Sequence, residues 1–277
     1  MKAFSRDEVI RYYLIFFGLA CGITWITAIV RGVADASGST DWLLDRIIKF
    51  GPSLAGIIMV IRLYGTSGLK RLGAQLVSLN ASWKWYLFAL APLLVLGITV
   101  YLFSSGLQID PDAELWQLLL LDANTGLLVY FFTRGGMGEE LGWRGFAIPL
   151  LKQHFSLFQI GYMIGLPWAL WHLPAMIGNG ILGFLGYTFL VLCLSYLFVY
   201  LFEKTKQSLF FVILLHSNVN ASDNFWEALL LNEDPSGNWK LPLYALMVVG
   251  AIVIAVSFYK KQKHGIAAKA TSGTQSR

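Results

Sequence analysis

Three short stretches of the chain gather side chains able to move protons. The first, Glu139-Glu140-Leu-Gly-Trp-Arg144, sets two carboxylates beside a guanidinium and is entered through Gly135, Gly136 and Gly138. On a helix Glu140 and Arg144 are i, i+4 neighbours and can pair, while Glu139 points about 100° away. One acid is thus held in place and the other is left to act, with a net negative charge for a further group to share. The second, Trp168-Ala-Leu-Trp-His172, carries a histidine one turn beyond a tryptophan, between Pro167 and Pro174. In the third, His216-Ser-Asn-Val-Asn220, two donors face one direction at i, i+4 spacing, and Asn218 lies off that face as a packing group. Such a set supplies a base for water and donors for a developing oxyanion, the needs of a hydrolysis that uses no side-chain nucleophile. Glu139, His172 and His216 also have the donor types of a His2Glu zinc site with an open position for water. No His-Glu-x-x-His run accompanies them, so the metal-free arrangement is favoured and zinc is the alternative.

The surroundings make these groups costly. Of the 277 residues 56% are hydrophobic and 13% are charged, against about 25% charged in soluble domains. Mean hydropathy is +0.61, and 19 Phe, 12 Tyr and 10 Trp suit lipid with aromatic belts at its interfaces. A soluble globule, a disordered chain and a disulfide scaffold are excluded, and Cys21 and Cys193 read as small packing residues inside apolar runs. A charged side chain at the bilayer centre costs at least ~2.5–3.5 kcal/mol, so intramembrane acids and histidines are functional candidates by default. Each stretch alone also has a structural reading, as interhelical hydrogen-bonding or as a solvated helix end. Their coincidence on three apolar segments favours chemistry. Gly161-Tyr-Met-Ile-Gly165, by contrast, is a small-residue packing step.

Runs long enough to span, at roughly 20 residues each, occur near 10–30, 47–64, 84–104, 115–133, 157–177, 182–202, 207–222 and 241–259. The expected fold is therefore all-α, a polytopic membrane bundle of about eight helices. Its parts are N-terminal transmembrane helices over 1–129, the polar helices over 130–222, and a last span with a basic tail over 223–277. Residues 62–84 carry Arg62, Lys70, Arg71 and Lys84 with no acid, and 104–114 carry Asp110, Asp112 and Glu114 with no base. That alternation places both termini in the cytoplasm of a bacterial plasma membrane. The net charge of +5 belongs largely to the tail and carries no nucleic-acid reading. One spacing conflicts with cooperation: if the fourth span ends before Glu139, His172 lies ~22 Å away along the membrane normal. Either the fourth helix is longer and carries Glu139 into the membrane, or the fifth begins late, near Pro167; a combination of the two is expected.

Glu-Glu-x-x-x-Arg, aromatic-x-x-x-His and His-x-x-x-Asn, in this order over roughly 130–222, resemble the CPBP (Abi) intramembrane endopeptidases. That family groups type II CAAX prenyl proteases with bacteriocin-processing and immunity-type proteins. The resemblance implies that Glu139 activates water with the help of His172, that Glu140 and Arg144 support it, and that His216 and Asn220 steady the oxyanion. Its second motif usually begins with Phe; Trp168 stands there instead, as an aromatic that shapes the pocket and binds substrate. Implied substrates are membrane-presented peptides or prenylated protein tails, with no cofactor required and the oligomeric state left open. Two other classes remain: a non-catalytic immunity or binding protein, and a proton-coupled transporter, which the lack of an inverted repeat disfavours.

Overall fold

The structure, a computed structural model, describes residues 2–35, 37–103, 131–132, 135–230 and 241–274. The described residues form helices and no strand. They are α1 (Arg6–Val33), α2 (Gly38–Leu76), α3 (Trp83–Phe103), α4, α5 (Leu157–Trp171), α6 (Gly180–Lys204), α7 (Leu209–Leu230) and α8 (Leu241–Thr274). Helix α4 begins as Gly135–Glu140, widens into a π-helical stretch, Leu141–Ala147, and closes as Ile148–Leu151. Arg6–Val33, Gly38–Leu76, Leu173–Lys204 and Leu241–His264 are long and apolar enough to cross a membrane. Large apolar side chains such as Leu14, Ile29, Ile58, Leu182 and Val253 point outward, as a lipid solvent requires. The expected all-α, multi-pass membrane architecture holds. The span expected near 115–133 falls outside the described residues except for 131–132.

Local sequence sets the boundaries. Ser5 and Glu8 form a reciprocal capping box at the start of α1, and Ser156 and Gln159 do the same for α5. Gly65, with φ of 59°, breaks α2 into its spanning part and a shorter C-terminal piece, a backbone state that glycine adopts without a Cβ clash. Helix α5 ends at Trp171, His172 occupies its C-cap position, and the chain turns through Leu173–Met176 and Ile177–Asn179. The fifth span is thus shorter than the expected 157–177, and it does not begin late.

The spacing conflict is resolved by α4 alone. Helix α4 runs on to Leu151, and a short turn leads into α5 at Leu157. At 1.5 Å per residue Glu139 rises about 18 Å from that turn and His172 about 22 Å, so both reach the same depth. Glycines allow the close approach this needs. A Cβ at Gly56 would lie 2.6 Å from Gly142 Cα, and a Cβ at Gly142 would meet the Pro52 carbonyl, with Pro52 C at 2.6 Å. Gly142→Ala is therefore expected to force α2 off α4 and cost about 1–3 kcal/mol, read as a lower unfolding midpoint in detergent. Gly18→Ala, where nothing lies within 4 Å, should leave the midpoint unchanged. The Gly161–Gly165 step packs as expected, against Tyr196 and Leu192, with Ser195 Oγ donating to the Gly161 carbonyl at 2.8 Å.

Candidate active site

Glu140 is fully buried and its Oε1 accepts twice, from Arg144 Nη1 at 2.8 Å and from His216 Nδ1 at 2.7 Å. The i, i+4 ion pair read from the sequence is present, inside the π-helical turn. Arg144 is itself fully buried, its guanidinium lying 4.4 Å from the Trp168 ring centroid and 4.5 Å from that of Phe198. Aromatic faces on both sides stabilise a cation that has left water. Helices α4, α5, α6 and α7 are thereby tied together around one charge pair.

Glu139 projects from a neighbouring face of α4, about 100° round from Glu140. Its Oε2 accepts from Trp168 Nε1 at 2.5 Å, and its Oε1 lies 3.8 Å from His216 Nε2. His216 therefore stands between the two acids, its Nδ1 on Glu140 and its Nε2 toward Glu139. It is the further group that the excess negative charge called for. His172 Nδ1 lies 2.9 Å from the Trp168 carbonyl, which only accepts. Nδ1 therefore carries a proton, and in the neutral ring Nε2 keeps its lone pair.

A cavity of about 660 Å³ adjoins these groups. Its walls include Glu139 and Gly135 from α4, Trp171 and His172 from the end of α5, and Asn220 from α7, with Thr24 and Lys49 closing it from α1 and α2. Gly135 keeps this corner open, since a Cβ there would lie 2.6 Å from His216 Nε2 and would also meet the Asn220 amide. Glu139, His172 and Asn220 meet the cavity; Glu140, Arg144 and His216 stand behind its wall. Trp168 is only 2% exposed and does not line it. Its indole grips Glu139, whereas the sequence reading set it against substrate. Asn218 donates to the Leu214 carbonyl within α7, the packing role expected of it.

Sequence reasoning missed the contribution of α1 and α2. Thr24 Oγ1 donates to the Ile48 carbonyl at 3.0 Å and accepts from Trp171 Nε1 at 2.9 Å, fixing the cavity wall next to His172. The available signal was a threonine, Thr24, in a mostly apolar helix. Among the described residues no group of three or more His, Cys, Asp and Glu side chains is placed to hold a metal ion.

Comparison with known proteins agrees with the motifs. The profile of the Rce1-like type II CAAX prenyl endopeptidases matches residues 122–222. A CAAX prenyl protease 2 of Methanococcus maripaludis is 26% identical over 147 residues, covering 50% of this chain and 49% of the relative. The chain thus spans about half the length of the curated relative it matches. Residues 122–222 are thus similar to the Rce1-like type II CAAX prenyl endopeptidases, within a multi-pass membrane protein.

Proposed function

We propose that the chain is an intramembrane endopeptidase in which Glu139 activates a water molecule for attack on a peptide bond. The observation that carries this reading is the meeting of Glu139, His172 and Asn220 at one membrane-embedded cavity, with the other carboxylate already neutralised by Arg144. Water held between Glu139 and His172 Nε2 loses a proton to the carboxylate as its oxygen bonds to the scissile carbonyl carbon. The Asn220 amide supports the negative charge on the carbonyl oxygen, and His216, behind the wall, acts through the two carboxylates it faces. Glu139 then delivers the proton to the leaving nitrogen as the C–N bond breaks. The catalytic helices are those of 130–222, and the substrates are membrane-presented peptides or lipidated protein tails.

The test is cleavage of quenched reporter peptides by detergent-purified protein, one farnesylated at a Cys-terminal motif and one an unmodified membrane peptide. Cleavage of either that persists with a metal chelator supports the reading; hydrolysis of neither, across a panel of membrane peptides, contradicts it. Trp168→Phe separates positioning from substrate contact. It keeps the ring over Arg144 and removes the donor to Glu139, and hydrogen bonds to charged groups are worth about 1.5–3 kcal/mol. The expected result is a fall in kcat of about tenfold or more with KM unchanged. A rise in KM with kcat unchanged would instead place Trp168 on the substrate.

A further inference from the structure

The geometry points to a binding site for a phosphate group at the end of the bundle remote from Glu139, between the start of the chain and the C-terminal piece of α2. It stands apart from the proteolytic reading.

Two local features build this site. The break at Gly65 ends the spanning part of α2, and beyond it Arg71 folds back on Tyr64, its guanidinium 5.2 Å from the ring centroid. The residues before α1 are anchored at the α4–α5 turn. Phe4 is buried, its N donates to Gln153 Oε1 at 2.9 Å, and its carbonyl accepts from His154 Nε2 at 2.7 Å. The Phe4 ring meets Tyr64, with centroids 5.9 Å apart, and Lys2 Nζ lies 5.3 Å from the Phe4 centroid. Lys2 is thereby carried across to α2. Lys2, Leu63, Tyr64, Ser67, Gly68 and Arg71 line one pocket of about 350 Å³.

The charge around this pocket has one sign. Residues 62–84 contain Arg62, Lys70, Arg71 and Lys84 and no acid. Neither Lys2 nor Arg71 forms a salt bridge among the described residues. Glu8, at the start of α1, is turned to its own helix, where its Oε2 accepts from Ser5 N at 2.8 Å. Arg71 Nε and Nη2 are buried, and no acceptor meets them among the described residues. Such a guanidinium has given up hydration without gaining a partner. A phosphate group supplies what is missing, because two of its oxygens accept from the planar fork and another is left for the point charge of a lysine. Ile61 and Leu69, close by on α2, are exposed apolar side chains of the kind that face lipid. The pocket thus lies where headgroup phosphates are concentrated, and basic pockets between membrane helices hold such groups. A phospholipid headgroup and free phosphate share this chemistry.

Two probes separate those sources. Dioctanoyl phosphatidylglycerol and inorganic phosphate are each titrated against the unfolding midpoint of the full chain in an uncharged detergent, with chloride at matched ionic strength as the blank. A ligand that binds the folded state raises the midpoint. A saturable rise with the lipid alone assigns the site to a headgroup; a rise with phosphate, alone or with the lipid, assigns it to the free anion as well. In either case Arg71→Gln is expected to raise the half-saturating concentration about tenfold or more, and Lys2→Ala about fivefold. Lys70→Gln, at an exposed position outside the pocket lining, should leave it nearly unchanged. Lys2 precedes the first helix, so its variant decides the matter even if Arg71→Gln does not fold. No saturable shift with either probe, a shift that persists unaltered in Arg71→Gln and Lys2→Ala, or equal weakening by Lys70→Gln overturns the proposal. Peptide cleavage enters none of these arms, so failure of the proteolytic reading would leave the result intact.

Discussion

Glu139→Gln is expected to leave the protein folded and to lower kcat by about 10²–10⁴-fold, the contribution of a positioned general base. The substitution is nearly isosteric, and a glutamine oxygen still accepts from the Trp168 indole that holds the side chain. What is lost is the capacity to take a proton from water. KM should move little, because the carboxylate meets water and not the rest of the peptide. The check pairs initial rates on the cleaved reporter with the unfolding midpoint of the same preparation. A variant that folds like wild type and still cleaves at a comparable rate would remove Glu139 from the chemistry.

The second large effect falls on stability. Arg144→Ala leaves Glu140 buried beside His216 alone and takes the cation from between the Trp168 and Phe198 rings. Breaking a buried pair by deleting one partner costs about 3–5 kcal/mol, because the remaining charge has no compensation. A marked drop in the unfolding midpoint, with loss of activity, is the expected outcome. Adding Glu140→Gln should recover part of that stability, since it removes the stranded charge. The coupling between the two sites is read from a double-mutant cycle. Independent, additive effects would contradict the pairing as described. Arg144→Lys should also be destabilising, because an ammonium cannot spread between two aromatic faces as a planar guanidinium does.

The chemistry of the site was legible in the sequence because charged and polar residues are conspicuous among apolar ones, and helical spacing fixes what shares a face. The Glu140–Arg144 pair and the separate direction of Glu139 followed from rotation per residue alone. The depth of Glu139 did not follow, since hydropathy ends a span where acids begin. Here three glycines let α4 enter the bundle with its acids buried and continue to Leu151. The role of His216 as a bridge between both carboxylates needed the third dimension. So did the indole bond to Glu139, which a ring without a donor could not make. The wall formed by α1 and α2 was also invisible, because its signals were Thr24 and a kink-bounded helix that read only as hydrophobic. Tertiary packing supplied what spacing along one helix could not.

The central claim is that the attacking atom is a water oxygen activated at Glu139. The most direct measurement is multiple-turnover cleavage of a reporter in ¹⁸O-water by purified protein, with mass spectrometry of both the product and the enzyme's Glu139 peptide. One ¹⁸O in each newly formed product carboxylate, with none in Glu139, is the predicted result. Label accumulating in the Glu139 side chain would reveal a covalent acyl intermediate and contradict it.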